Sequence, residues 1–192
     1  MNLGGFSNVS FEKEGERRAF DICPVNIVLN LFSNKIGLEY DASGAIAAEG
    51  VLNLSLLTAL NALAFYSLAA PKSLGLEWVQ KEILPVIARH ETNIPSILRT
   101  FVEHIAMQIA KVVQNSDSVL VTGGGFFNTF LMERIQYRSQ CKVIQPSDAV
   151  IHYKEALIFA FLGRLRIDNQ INCLKSVTGA IKNHSSGVIF LP

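Results

Sequence analysis

Residues 119–135 read VLVTGGGFFNTFLMERI, and this stretch decides the fold. A short run of apolar, β-branched residues predicts a strand, three consecutive glycines follow it, and an amphipathic helical pattern begins near Asn128. Glycines between a strand and a helix start leave bare backbone N–H groups at the positive end of the helix dipole, where phosphates or a ribose can bind. The stretch therefore predicts a nucleotide site that includes Gly123, Gly124, Gly125 and Asn128.

Two other interpretations of these glycines stay open. In the simpler one they form a tight turn and Asn128 caps the helix, a role that is compatible with ligand binding. In the other, Gly123, Gly125 and Asn128 are a dinucleotide fingerprint that lacks its third glycine, followed by a strand at 141–145 and by Asp148. That pattern would belong to an NAD-binding oxidoreductase fragment.

The composition is that of a folded globular protein. The chain has 192 residues, 49% of them hydrophobic, which suffices for an ordinary core without metals or disulfides. A net charge of +1 gives no electrostatic sign of a nucleic-acid partner or of an anionic membrane. The three cysteines are widely spaced, and the sequence shows neither a signal peptide nor a membrane span, so we expect a reduced, cytoplasmic protein.

The order of predicted elements favours one α/β domain. The first part of the chain predicts a β-hairpin around a charged turn at 12–18. Strands are also expected at 119–122, 141–145 and 187–191. Helices are expected at 25–32, 51–69, 96–114 and 154–166, with further helices around 78–84 and from near Asn128. We therefore predict a single domain over residues 1–192, with a mixed sheet flanked by helices and a helical insertion at about 34–95.

A second glycine-bearing turn contains Gly4, Gly5 and Asn8. Such a pair of glycines can mark only a β-bulge, but two glycine turns in one domain favour a shared binding role. Asp21 lies at a turn where aspartate commonly bonds the backbone, and Glu155 lies near a helix start, where a carboxylate complements the dipole. These two residues are candidates with an ordinary structural alternative.

A set of motifs along the chain resembles the anhydro-N-acetylmuramic acid kinases, a branch of the actin-like, sugar-kinase superfamily. The motifs are NLGGFSN at 2–8, FDICPVN at 20–26, YDASG at 40–44, PKSLG at 71–75, VTGGGFFN at 121–128, KEALIFA at 154–160 and VTGA at 177–180. Their order and spacing cover nearly the whole chain. The resemblance implies an actin-like, ribonuclease H-like ATPase fold, and specifically the C-terminal domain of such a kinase.

The resemblance also implies an activity for the complete protein. ATP and water would convert 1,6-anhydro-N-acetylmuramic acid, an intermediate of peptidoglycan recycling, to N-acetylmuramic acid 6-phosphate, with Mg²⁺ accompanying the nucleotide. By that likeness the turn at Gly4, Gly5 and Asn8 would face the phosphates, and the residues Gly123, Gly124, Gly125 and Asn128 would line the adenosine pocket. Glu155 would approach the sugar, and Asp21 and Asn26 would help to form the cleft.

The chain also differs from the family pattern. Family members are roughly twice this long, and the N-terminal kinase domain, with the aspartate that activates water, is expected to be missing here. We therefore assign no catalytic residue in this chain and predict that it folds but does not phosphorylate sugar by itself. Residues 23–26 read CPVN where many relatives have GPGN. A non-catalytic nucleotide-binding or dimerisation module is the alternative, and a homodimer is a further expectation.

Overall fold

The computed structural model describes residues 1–190. Its first three strands form an antiparallel sheet in the order β1 (Asn2–Leu3), β2 (Phe6–Lys13) and β3 (Glu16–Pro24). The predicted hairpin is confirmed, but its turn contains only Glu14 and Gly15, both with positive φ, as a type I′ turn requires. The charged residues around this turn therefore belong to the strands.

Two parallel strands complete the sheet. β4 (Ser118–Leu120) pairs with β5 (Lys142–Ile144), and β1 lies beside the end of β4. The N–H of Leu3 donates to the Thr122 carbonyl at 2.7 Å, and the N–H of Thr122 donates to the Met1 carbonyl at 3.0 Å. The strand order is therefore β3-β2-β1-β4-β5, and the predicted mixed sheet is confirmed.

Helices connect and flank these strands. The first five are α1 (Asn26–Asn34), α2 (Ala45–Glu49), α3 (Leu54–Asn61), α4 (Leu76–Trp78) and α5 (Leu84–His90). The others are α6 (Ile94–Val113), α7 (Thr129–Ser139), α8 (Asp148–Ile167) and α9 (Lys175–Thr178). A π-helical turn, Val79–Ile83, joins α4 to α5, and 3₁₀ turns form at Ala42–Gly44, Ala64–Ser67 and Gly124–Phe127. Helices thus dominate the region expected to be an insertion, whose status as an insertion stays a prediction.

Helix α6 forms the centre of the core. The Asn93 side chain caps its first turn by accepting from the Ser96 N–H at 3.0 Å, and Pro95 occupies the first turn, where its missing N–H costs nothing. Phe101, Ile105 and Ile109 are fully buried along one side of the helix, and the helix predicted at 96–114 is confirmed. Thirteen of the 20 residues of α6 are buried, including polar ones.

The buried carboxylate of Glu103 joins α7 to α6. It accepts hydrogen bonds from Arg99 on its own helix and from Arg138 on α7, and it forms an ion pair with Arg134. Burial by itself would raise the pKa of Glu103, but the hydrogen bonds and charges of Arg134 and Arg138 outweigh it, so the pKa lies below its usual range. This ion cluster fixes the helix that begins at Asn128.

His104, the next residue, connects α6 to the opposite side of the core. Its Nδ1 lies 2.8 Å from the Asn61 side-chain oxygen and its Nε2 lies 2.8 Å from the Tyr66 hydroxyl. Because an amide oxygen only accepts, Nδ1 carries the proton and the Tyr66 hydroxyl donates to Nε2. Burial lowers the pKa of His104 to about 3, which keeps the ring neutral. The ring therefore has a structural role.

Three sequence-based boundaries are wrong. The helix expected at 51–69 ends at Asn61, where the chain turns so that both Asn61 and Tyr66 can reach His104. The helix expected from 154 begins earlier, at Asp148. The strand expected at 187–191 does not form over residues 187–190, where Gly187 has φ +103° and its carbonyl accepts from Arg166; Leu191 lies outside the described residues.

The two faces of the sheet are covered unequally. Leu3, Val9 and Val121 are buried on one face, beneath α1, α6 and α7. The other face carries α8, of which only Ile151 is buried. Among residues 1–190, no single helix is long and apolar enough to cross a membrane. One pair, Ala42–Glu49 with Leu54–Asn61, reaches the required length and apolar composition only when the two helices are taken together across a bend of 119°.

Candidate functional site

The two predicted glycine turns meet at one edge of the sheet. A side-chain carbon on Gly123 would lie 2.7 Å from the Leu3 carbonyl oxygen, and one on Gly125 would lie 2.9 Å from it. The turn at Gly4 and Gly5 follows Leu3 directly, and the Gly5 carbonyl accepts from the Val25 N–H at 2.8 Å. The structure thus places both turns and the start of α1 side by side.

The three glycines at 123–125 have different functions in the fold. Gly123 and Gly125 allow residues 122–125 to pass close over β1, because any side chain at either position would collide with Leu3. Gly124 is exposed, and no atom lies within 4 Å of the place where its side chain would be. Packing therefore does not require a glycine at position 124, and Gly124 faces open space.

That open space is a cleft of about 370 Å³ between α1 and the start of α7. Its lining residues are Asn26, Asn30, Tyr40, Ser43, Gly124, Phe127 and Asn128. A second groove, which includes Gly5, adjoins it and shares Asn26 and Asn30. The predicted residues Gly5, Asn26, Gly124 and Asn128 are thus brought together.

The cleft offers amide groups and aromatic faces. Asn26 and Asn30 lie one helical turn apart on α1, and within the described chain their side chains have no hydrogen-bonding partner in the protein. Tyr40 and Phe127 are 58% and 50% exposed, although aromatic rings usually lie deeper. Free amides beside exposed rings suit a planar heterocycle that needs both edge recognition and stacking.

Asn128 has the capping role that the simpler interpretation gave it. Its side-chain oxygen accepts from the Leu131 N–H at 2.9 Å, at the first turn of α7. The oxygen is thereby occupied, and the side-chain NH₂ remains on the wall of the cleft. Capping fixes this amide in place, so both functions predicted for Asn128 fit the same geometry.

Asn8 and Asp21 lie on the face of the sheet opposite Leu3. Asn8 pairs with Asn2 on one side and with Asp21 on the other, beside a bulge at Ser7 and Asn8, so the three side chains share a face. The Asp21 carboxylate accepts from the Leu74 N–H at 2.7 Å and holds the loop at 71–75. Asp21 thus bonds the backbone as expected, but it lies within β3 and not at the predicted turn. Neither Asn8 nor Asp21 lines the cleft.

Glu155 is exposed on α8, and it does not line the cleft either. Its neighbour Lys154 approaches the glycine turns instead: the Nζ of Lys154 donates to the Asn2 side-chain oxygen at 2.6 Å and to the Thr122 hydroxyl at 3.0 Å. Burial lowers the pKa of Lys154, and the nearby charge of Glu155 opposes that shift. Because α8 begins at Asp148, Glu155 lies well inside the helix and not near its start, so the dipole role expected for it is wrong.

Sequence reasoning did not assign five residues that this geometry includes: Asn30, Tyr40, Ser43, Phe127 and Lys154. Four of them, Tyr40, Ser43, Phe127 and Lys154, belong to motifs that carried the family resemblance, which was the available signal. Within residues 1–190, no three His, Cys, Asp or Glu side chains come together as a metal site, and the three cysteines are free thiols.

The structure defines an α/β domain with a cleft at the glycine-lined edge of a mixed sheet. The chain belongs to the anhydro-N-acetylmuramic acid kinase family, whose model matches residues 1–192. This confirms the resemblance drawn from the motifs.

Curated relatives carry the same family name. The anhydro-N-acetylmuramic acid kinase of Mannheimia succiniciproducens is 35% identical over 99% of this chain and 56% of its own length. Those of Saccharophagus degradans and Vibrio cholerae are 32% and 31% identical over the whole chain, and over 54% and 55% of their own lengths. The chain therefore spans about half the length of the curated relatives that it matches.

Solved structures give a more distant likeness. The activator of 2-hydroxyisocaproyl-CoA dehydratase from Clostridium difficile, with bound ADPNP, is 14% identical, with a TM-score of 0.46 over 76% of this chain and 52% of its own.

Proposed function

We propose that this chain is the nucleotide-binding, C-terminal domain of a kinase that acts on 1,6-anhydro-N-acetylmuramic acid. The reaction would use ATP and water to form N-acetylmuramic acid 6-phosphate in peptidoglycan recycling, in the cytoplasm. The observation that carries the proposal is Gly124, which is open to the cleft while both of its glycine neighbours are needed for packing. Family membership supports the choice of this sugar and of ATP as the nucleotide.

The cleft has the chemistry that an adenine nucleotide requires. Adenine would lie among the asparagine amides and the rings of Tyr40 and Phe127, with Gly123, Gly124, Gly125 and Asn128 around the adenosine. The phosphates would face the turn at Gly4 and Gly5, whose backbone can approach closely. Mg²⁺ would be bound mainly by the phosphates and by water, together with at most one or two protein carboxylates, so no larger carboxylate cluster is needed.

The sugar would lie beyond the phosphates. We assign Asn8 to the phosphate side, Asn26 to the cleft wall, and Asp21 and Glu155 to the side of the sugar. The cleft is lined, within the described residues, without any Asp, Glu or His. We assign the water-activating base to a part of the kinase outside this chain, and hence no catalytic residue to the chain itself.

A titration of the purified chain with Mg²⁺–ATP and, separately, with NAD tests the nucleotide. We expect measurable ATP binding and at least a tenfold loss of affinity in Gly124→Val, because the new side chain would enter the cleft. Gly163→Val is the matched control, since Gly163 also has nothing within 4 Å but lies on α8. Equal ATP binding by Gly124→Val and wild type would refute the site, and preference for NAD would favour the oxidoreductase alternative.

The isolated chain should not convert the anhydro-sugar, because a cleft enzyme needs both of its walls to position donor and acceptor and to exclude water. Product analysis after incubation with Mg²⁺–ATP checks this. Robust formation of the 6-phosphate would contradict the assignment of the base to another part of the kinase. A homodimer remains part of the proposal, and light scattering measures it directly.

A further inference from the structure

Lys154 occupies a central position between the two glycine turns. Its ammonium group donates to the side chains of Asn2, on β1, and Thr122, immediately before the glycines. The Asn2 side-chain oxygen lies 2.7 Å from the place where a side chain on Gly123 would be, and its nitrogen lies 3.1 Å from the corresponding place on Gly4. Asn2 therefore contacts both turns, and Lys154 is held against Asn2.

The charge of the site points in the same direction. In the part of the chain that the structure describes, the residues lining the cleft and the adjoining groove include no Lys or Arg. A nucleotide triphosphate brings several negative charges, which backbone amides neutralise only partly. An ammonium group has three N–H donors, and the protein acceptors found among residues 1–190 take two of them.

We infer that Lys154 binds the phosphates of the nucleotide through its remaining N–H donor. The inference rests on the proposed function, and it adds Lys154 to the nucleotide contacts that the proposed function assigns. Asn2 and Thr122 position the ammonium group at the junction of the two turns. Burial lowers the pKa of Lys154, and an anion beside the amine would raise that pKa again, because the charged form would then have a partner.

The competing explanation is purely structural. Helix α8 has one buried residue, Ile151, so the hydrogen bonds of Lys154 also contribute to holding α8 on the sheet. A structural lysine would affect stability and the binding of every ligand alike. A phosphate ligand would affect only ligands that carry phosphates, and this difference separates the two explanations.

The test is a set of titrations of the full chain with Mg²⁺–ATP and with adenosine, at two salt concentrations. For Lys154→Met we expect at least a tenfold loss of ATP affinity, adenosine affinity within about twofold, and a weaker salt dependence of ATP binding. Lys154→Arg should restore much of the ATP affinity, since it keeps the charge. Lys142→Met, an exposed lysine on β5, is the matched control and should bind as wild type.

Each outcome decides the inference. Wild-type ATP affinity in Lys154→Met would overturn it, and so would an equal loss of ATP and adenosine binding, which would show a structural anchor. If wild type binds adenosine as tightly as ATP, the cleft remains the nucleoside site, but the phosphate-binding role of Lys154 is refuted. If wild type binds neither ligand, the proposed function itself fails. Thermal melting of both Lys154 variants establishes that they are folded, and Lys154→Arg keeps the comparison usable should Lys154→Met unfold.

Discussion

Helices α6 and α8 have the same length, 20 residues, and opposite surroundings. Thirteen residues of α6 are buried, whereas only Ile151 is buried in α8. α6 lies between the sheet and α3, with α7 beside it, while α8 lies on the other face of the sheet and exposes Leu157, Phe159 and Phe161. The two helices have similar numbers of apolar residues. Their burial is therefore decided by the pattern of the apolar residues and by the elements that can cover them.

The pattern differs in a way that the sequence shows. In α6 the apolar residues recur every three or four positions, which builds one stripe for the core. In α8 they occur on all sides, so no rotation of the helix could bury them against a single sheet. The comparison teaches that α6 stabilises the fold of this chain. The main contribution of α8 is to position side chains, because it carries Lys154 and Glu155 to the sheet edge.

The largest effect is expected at the centre of α6. Phe101→Ala should lower the free energy of unfolding by about 3–5 kcal/mol, because Phe101 is fully buried and the substitution leaves a cavity. Urea unfolding monitored by circular dichroism measures this change. A loss below about 1 kcal/mol would mean that α6 is not the centre of the core, and the contrast between the helices would collapse.

Removal of the charge on Glu103 should be the next most severe change. Glu103→Gln leaves Arg99, Arg134 and Arg138 without a counter-charge, and we expect a loss of about 3 kcal/mol in the free energy of unfolding. Glu133→Gln, an exposed position on α7, is the control and should change stability by less than about 0.5 kcal/mol. Equal stabilities for the two variants would show that the ion cluster does not hold α7.

The pH dependence of stability sharpens the description of the core around α6. The pKa of His104 is about 3 in the folded chain and 6.5 in its ordinary state, so the unfolded chain binds more protons between these values. The stabilisation is complete above pH 6.5 and is lost as the pH falls towards 3, by up to about 1.4 kcal/mol per pH unit. Denaturant titrations of wild type and His104→Gln between pH 4 and 7 measure this slope. A slope that His104→Gln leaves unchanged would assign the proton uptake to other groups.

The smallest effect is expected on α8. Phe159 is 71% exposed, so Phe159→Ala should change the free energy of unfolding by less than about 0.5 kcal/mol. The same urea experiment used for Phe101→Ala gives the paired value. A loss comparable to that of Phe101→Ala would show that α8 is covered in solution, and it would erase the difference between the two helices.

Much of the fold followed from periodicity. The hairpin, α6 and the strand–glycine–helix unit at β4 and α7 were predicted because each is encoded by neighbouring residues. The helix expected at 51–69 was wrong because apolar residues both before and after its actual end pack against α6, so the apolar pattern continues past that end. The reason for the turn lies in the buried hydrogen bonds of Asn61 and Tyr66 to His104. The true start of α8 was hidden by its lack of an apolar stripe.

The candidate site was predictable only in part. Gly124, Asn26 and Asn128 were identified from local patterns and the resemblance, and the structure brings them to one cleft. Lys154 belongs to a motif of the resemblance but received no role from it, because its hydrogen bond to Asn2 crosses 152 positions of the sequence. The roles assigned to Asn8, Asp21 and Glu155 stay predictions, since these side chains lie outside the cleft.

The junction of β1 with β4 has a consequence for folding kinetics. Met1 and Leu120, joined there by a backbone hydrogen bond, are separated by 119 positions, whereas β2 and β3 are neighbours in the chain. Closing so long a loop is entropically slow, so we expect the hairpin to form early and the two halves of the sheet to meet late. Gly123 and Gly125 pack directly against Leu3, so their native conformation depends on the junction. The binding edge should therefore be among the last parts of the molecule to acquire native structure, and a ligand that requires it would recognise only fully folded chains.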